Sequence, residues 1–432
     1  MAVASPVTVP CSAARRQEFD VPLTRELARE RLREAALAER PVGAVGLELE
    51  GHLVDLARPA ARVPWLRTSA AVAALPPLPG GSVVTIEPGG QVELSGPPAV
   101  GVVRAVASLQ ADEAVLRGSL GERGLGLAAL GADPARPAQR VNPAARYEAM
   151  EAHFAATGEG EPGRAMMCST AALQLNLEAG PASGWTQRVA LAHRLGPVLV
   201  AVSACSPLLA GRAPGWRSSR QQVWGRLDAA RCGPLPGRAE PAEEWATYAL
   251  QAPVLLVRTA GGAVPVRRRV PFDAWLAGDV ALADRRPTAA DLDYHLTTLF
   301  PPVRLRGFLE LRYLDAVPRR WWPGLAVLAV TLLDDPVAAD EATDATAEVA
   351  GRWSAAARLG LGDAVLRRAA VRCGAAALAA LAVPGVPASL RADVEAWAEL
   401  VDRGRSPGDD LLDAVRRTGP LAALTEAARA DA

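Results

Sequence analysis

The sequence predicts an α+β protein: a mixed, largely antiparallel curved sheet with one polar face, flanked by helices and followed by a C-terminal helical section packed on the same body. Three observations carry this. Short segments alternate leucine with carboxylate or amide at a period of two residues, the pattern of half-buried strands. Two such segments meet at a Pro-Gly-Gly turn, which imposes an antiparallel hairpin. The stretches between them, and nearly everything after Trp321, carry apolar residues at three-and-four spacing among Ala, Glu and Arg, the pattern of amphipathic helices.

In chain order, residues 1–20 are expected to form a flexible segment, 21–320 the α+β unit and 321–432 the helical section. Residues 22–40 read as a helix, and 43–56 (GAVGLELEGHLVDL) as a strand. GSVVTIEPGGQVELSG (81–96) reads as two strands, because proline cannot donate to a ladder and glycine tolerates positive φ. Further strands are expected at 166–178, 252–259 and 303–314, and helices near 100–118, 144–156, 186–203, 241–250 and 288–299. Helices dominate after Trp321, with breaks near 336, 360, 384–387 and 407.

Composition removes whole classes of function. The 432 residues carry 47 basic and 47 acidic side chains, so no basic excess points to nucleic acid or to an anionic membrane surface. Every basic residue is arginine; with no lysine, a P-loop, a Schiff base and a Ser-x-x-Lys site are excluded. Any phosphate must be met by arginine, metal or backbone. Five scattered cysteines form no Cys-x-x-Cys pair, and the four histidines form no zinc helix. The chain opens without a signal-peptide pattern, and its longest apolar run is too short to span a bilayer. A cytoplasmic protein acting on small molecules, monomeric or weakly homo-oligomeric, is expected.

The polar strand faces are the informative feature. Glu48 and Glu50 leave one face of their strand while Leu47 and Leu49 leave the other. A three-residue loop, Pro88-Gly89-Gly90, would pair Glu87 with Gln91 and Thr85 with Glu93 and put Glu87, Gln91 and Glu93 on one face, whereas a two-residue loop would break this. Gln174, Asn176 and Glu178 alternate with Leu173, Leu175 and Leu177, and Glu310 and Arg312 with Leu309 and Leu311. A solvent-facing surface would mix signs, whereas these faces are mainly carboxylate and amide. Like charges gathered on one face repel unless cations bind, and such oxygens suit hard Mg²⁺.

Other signals carry less. Gly124-x-Gly126-x-x-Ala129 follows a helix and enters a strand, the reverse of the dinucleotide order. Arg267-Arg268-Arg269 reads as a solvated run, and Trp321-Trp322 as core. Between Arg217 and Arg231, arginines recur at helical spacing, a pattern suited to anionic substrates or to surface ion pairs with Asp228.

Taken together, GLELE (46–50), EPGGQVELSG (87–96), RYEAM (146–150), QLNLE (174–178), the 220–233 segment, YALQAPV (248–254) and HLTTLFPPVRLRGFLELR (295–312) resemble glutamate-cysteine ligases of the plant and proteobacterial type. That family lies in the carboxylate-amine ligase superfamily related to glutamine synthetase. The resemblance implies a glutamine synthetase-like catalytic fold, with ATP as co-substrate and Mg²⁺ or Mn²⁺ as cofactor. ATP would activate the L-glutamate γ-carboxylate as γ-glutamyl phosphate, which the L-cysteine amine then attacks.

Carried over by motif position, the resemblance makes Glu48, Glu50, Glu87, Glu93 and Glu310 metal ligands, with Glu310 and Arg312 catalytic. It points to Arg146, Asn176, Arg220 and Tyr248 for substrate, and to Arg231, Arg312 and Gln174 for ATP and its phosphates. Gly51 and Glu178 depart from the family pattern, and the cysteines match no regulatory disulfide. The absence of lysine beside abundant Ala and Arg fits a GC-rich, actinobacterial genome, and the resemblance then runs toward members that supply γ-glutamylcysteine for ergothioneine. A ligase with another amine acceptor, or a silent ligand-binding paralogue, are the alternatives.

Overall fold

A computed structural model describes residues 23–383 and 385–429. The expected N-terminal segment, the first residue of the expected 22–40 helix and Pro384 of the expected 384–387 break lie outside the described residues. The main sheet has strands β1 (Ala44–Asp55), β2 (Val83–Ile86), β3 (Val92–Ser95), β4 (Ala99–Val100), β5 (Leu125–Ala128), β6 (Ala172–Glu178), β9 (Val303–Leu305) and β10 (Phe308–Asp315). Strands β7 (Leu256–Thr259) and β8 (Gly262–Pro265) form a separate hairpin. The order across the main sheet is β2-β3-β1-β6-β10-β9, with β4 and β5 also on β1, and every pairing is antiparallel. Helices flank it, so the architecture is the α+β arrangement expected.

The apolar side of the sheet fits the leucine alternation. Leu47, Leu49, Leu173, Leu175, Leu177, Leu309 and Leu311 are all buried in one core. Each such side chain contributes about 1.5–3 kcal/mol by leaving water. Helices Val102–Gly121, Trp185–Ser203 and Trp322–Asp334 pack against this side. Glu113, buried in the first of these, accepts Arg117 Nε at 2.7 Å and Trp322 Nε1 at 2.8 Å, linking the helical section to the sheet's covering layer.

The first expected helix spans Arg25–Ala36, capped by Thr24, whose hydroxyl accepts the Leu27 N–H. Three strand expectations need correction. Residues 166–169 belong to a helix, Gly160–Ser169, whose Met166, Met167 and Cys168 are buried in a second apolar cluster; the strand starts only at Ala172. Of 252–259 only Leu256–Thr259 is strand, and it pairs with the hairpin partner β8 outside the main sheet. The 303–314 segment is two strands, because Gly307 at φ +79° turns the chain back on itself.

Candidate active site

The polar side of the sheet is set by register. Glu50 lies opposite Glu93, Glu48 opposite Gln174, Asn176 opposite Glu310, and Glu310 opposite Arg304. The expected three-residue loop is present: the Glu87 N–H donates to the Gln91 carbonyl at 2.8 Å, in line with the Thr85–Glu93 pair. Gly89 is required there by close approach, since a Cβ would lie 2.3 Å from the Cys168 carbonyl oxygen. The Pro88 carbonyl accepts the Val141 and Asn142 N–H groups at 2.7 and 2.9 Å, fixing the turn beside the sheet. Gly51 also has a steric reason: a Cβ would come within 2.7 Å of Leu127 Cγ.

Over this face opens a cavity of about 380 Å³. Its walls differ in charge. One carries Glu48, Glu50, Glu87 and Glu93; another carries Glu310 with Arg304, Arg306 and Arg312; Arg146, Tyr147, Trp224, Phe300 and Met150, Met166 and Met167 complete the lining.

On the acidic wall, Glu50 accepts the Ala172 N–H and Gln174 Nε2, both at 2.9 Å, and Glu48 accepts Asn176 Nδ2 at 2.9 Å. Glu93 accepts the Thr85 hydroxyl at 2.5 Å. Among the described residues no arginine is bonded to any of these three. Burial, then the charge on Glu87, pushes the Glu50 carboxyl up to about 7. Burial together with Glu87, Glu50 and Glu48 pushes Glu93 up to about 9. Burial raises Glu87 as well, against the pull of Arg312.

On the other wall, Arg304 grips Glu310 with Nε and Nη2, and Arg312 Nη1 adds a contact at 2.8 Å. Burial opposes the Glu310 charge, yet Arg312 and Arg304 outweigh it and hold the carboxyl down at about 2. Gln174 joins the walls: its Nε2 donates to Glu50 while its Oε1 accepts Arg312 Nη1 at 2.6 Å. An amide can do both at once, which a carboxylate cannot.

The donor chemistry of the acidic wall fits a hard divalent cation, because four carboxylates face one cavity without a guanidinium bonded to Glu48, Glu50 or Glu93. Among the described residues, however, no three His, Cys, Asp or Glu side chains close on one point as they stand. Glu48 and Glu50 are turned onto amide donors, which a cation would have to displace. Glu310, expected with this group, stands apart from it in its arginine clamp.

The remaining expected residues divide in two. Arg146 reaches the cavity, with Nη2 donating to the Thr297 carbonyl at 3.0 Å and the guanidinium 5.0 Å from the Tyr294 ring centre. Asn176 stands behind Glu48, off the cavity wall. Arg220 is buried beside β10, its Nη2 donating to the Arg312 carbonyl at 2.6 Å. Arg231 is buried and donates to the Thr298 and Pro253 carbonyls, away from the cavity wall where the resemblance put it at phosphate. Tyr248 is also off that wall, its ring stacked on Trp245. Motif position gives a place in the chain, but Arg231 and Tyr248 sit on helices Ala229–Cys232 and Pro241–Gln251 and are buried there. Arg304 and Arg306 were not anticipated; the signal was the Arg-Leu-Arg-Gly turn, which puts Arg304 directly across from Glu310.

The fold also occurs in the solved structure of a glutamate-cysteine ligase from Francisella tularensis in complex with AMP. The two superpose with a TM-score of 0.57 over 91% of this chain and 89% of that one, at 13% sequence identity. The model of glutamate-cysteine ligase family 2 matches residues 44–427, and the chain belongs to that family. It is 53% identical over 398 residues to the glutamate-cysteine ligase EgtA of Mycolicibacterium smegmatis, covering 92% of this chain and 93% of that protein. It is 52% identical over 402 residues to EgtA of Mycobacterium tuberculosis, covering 92% of each. Among the described residues no single helix is long and apolar enough to cross a membrane.

Proposed function

We infer that this enzyme joins the γ-carboxylate of L-glutamate to the amine of L-cysteine at the expense of ATP, giving γ-glutamylcysteine. The observation that carries the reading is the divided cavity, acidic on one wall and arginine-rich on another, in a chain of this family. A carboxylate is a poor electrophile. Phosphorylation by ATP gives it a leaving group, and attack by the uncharged amine then expels phosphate. A bound Mg²⁺ or Mn²⁺ would screen the polyphosphate and polarise its oxygens. Glu48, Glu50, Glu87 and Glu93 are the residues that would hold it.

The chain's own part is positioning and charge. Arg312, held by Glu310 and Gln174, presents a planar donor fork at the join of the two walls, where charge moves onto the transferring phosphoryl oxygens. Arg304 keeps Glu310 ionised and fixed. Arg146 and Arg306, both on the lining, would meet substrate carboxylates. The 52–53% identity to mycobacterial EgtA supports the actinobacterial expectation, in which the product supplies ergothioneine. ATP and reduced cysteine belong to the cytoplasm, and that location is part of the same proposal.

The test is ADP release by purified protein given ATP, Mg²⁺ and each amino acid alone and in pairs. Release that requires glutamate and cysteine together, and stops in excess chelator, supports the reading. Full activity in chelator, or a preference for another amine, overturns it.

A further inference from the structure

The ladder between β10 and β6 slips at the residue that matters most. Leu311 faces Leu175 and Leu314 faces Leu173, so Arg312 and Tyr313 together oppose the single residue Gln174. Such a bulge takes backbone groups out of the ladder and re-aims a side chain. Three backbone groups at the bulge have partners outside the β6 ladder. Arg220 Nη2 donates to the Arg312 carbonyl at 2.6 Å, and Gln221 Nε2 donates to the Tyr313 carbonyl at 2.7 Å. The Arg312 N–H donates to the Pro302 carbonyl at 2.9 Å.

Both of those side chains come from one short helix, Ser219–Trp224, which is tied to the end of the same strand. The buried Asp315 accepts the Ser206 hydroxyl at 2.6 Å, the Ser218 hydroxyl at 2.9 Å and the Cys205 N–H at 3.0 Å. The same hydroxyls then accept the helix's own N–H groups, Ser206 Oγ from Arg220 and Ser218 Oγ from Gln221, each at 3.1 Å. Gly131 closes the far side of Asp315, since a Cβ there would lie 2.4 Å from its Cγ. Strand end, serines, helix and bulge therefore form one closed loop of hydrogen bonds.

We propose that Gln221, Arg220 and Asp315 are positioning residues that hold the β10 bulge and thereby fix where the Arg312 guanidinium meets the transferring phosphoryl group. Arg220 then acts through the main chain of Arg312, to which its Nη2 donates. The proposal rests on the reaction inferred above.

Gln221→Met keeps the volume and removes the amide donor. It is expected to lower kcat by about tenfold to a hundredfold, the scale of losing a group that orients a reacting residue, with KM for glutamate and cysteine within about threefold of wild type. A merely structural role would not predict the second readout. In an Arg312→Lys background the same change is expected to cost less than about twofold, because residues acting as one unit are not additive. Asp315→Asn, also close in volume, is expected to show the same dependence on Arg312 and serves if Gln221→Met does not fold. Equal losses in both backgrounds, a change in KM alone, or wild-type kinetics overturn the proposal. A wild-type protein without ADP release from glutamate and cysteine overturns the inferred reaction instead.

Discussion

Two groups of carboxylates in this molecule, one buried and one half-buried on the cavity wall, are built in opposite ways. Asp133 is enclosed by its own partners: it accepts Arg136 Nε at 2.8 Å and the Ala135 and Arg136 N–H groups at 3.1 and 2.9 Å, with Arg62 Nη1 at 3.2 Å. Burial opposes its charge, but Arg62 and Arg136 overcome this and hold the carboxyl down at about 2. Glu50 and Glu93, by contrast, face each other across two strands with only neutral donors bonded to them. Where a buried charge serves the fold, its counter-charge is in the chain. In the pair proposed to serve a ligand, the counter-charge is left out.

The largest effects should separate these groups. Glu50→Gln and Glu93→Gln are expected to lower turnover by about two to three orders of magnitude, the scale of removing a preorganised electrostatic group, while the melting temperature holds or rises as like-charge repulsion is relieved. ADP release and thermal unfolding on the same samples check this, and wild-type turnover in both variants would show that these side chains merely face solvent. Asp133→Asn should do the reverse. Leaving the buried Arg62 and Arg136 without their counter-charge should cost about 3–5 kcal/mol in urea unfolding, with kcat per folded molecule unchanged.

Arg312→Lys tests the wall between these extremes. It keeps the charge and loses the fork, so kcat should fall about a hundredfold with little change in glutamate KM. A loss confined to glutamate KM would show that Arg312 holds the substrate carboxylate. The smallest effect concerns the neutral buried histidines. Burial pushes His52 and His153 down to about 4 and His295 to about 3. The unfolded chain, with histidines near 6.5, takes up these protons first. Stability should therefore fall as pH drops from about 6.5 toward 4, by about 1.4 kcal/mol per pH unit for each histidine, and should be independent of these groups above pH 7. Chemical denaturation across that range, with His52→Gln as the variant that flattens the slope, measures it.

How much of this was legible depends on which interactions are local. Leucine alternating with carboxylate exposes both the strand and its buried side, so β1, β3, β6 and β10 and their acidic residues could be read directly. The turn at Pro88 set the hairpin register, and Glu87 with it. The helix Gly160–Ser169 was misread because its exit, Met166 to Ser169, is buried all round and shows no period. Arg304 was missed because its role exists only across a turn, and Arg231 and Tyr248 were placed at the site because a motif does not say which way a side chain points. The bulge at Arg312 left a faint trace, Tyr313 interrupting the alternation of Leu309, Leu311 and Leu314.

The helix Pro420–Arg429 lies directly on strand β5, so close that a Cβ at Gly126 would sit 2.6 Å from the Ala428 carbonyl oxygen. That strand pairs with β1, which carries Glu48 and Glu50. During translation, then, the strand bearing the first two acidic residues of the cavity is made nearly four hundred residues before the helix that covers its neighbour. The nascent chain therefore carries that part of β5 uncovered until residues 420–429 have been made.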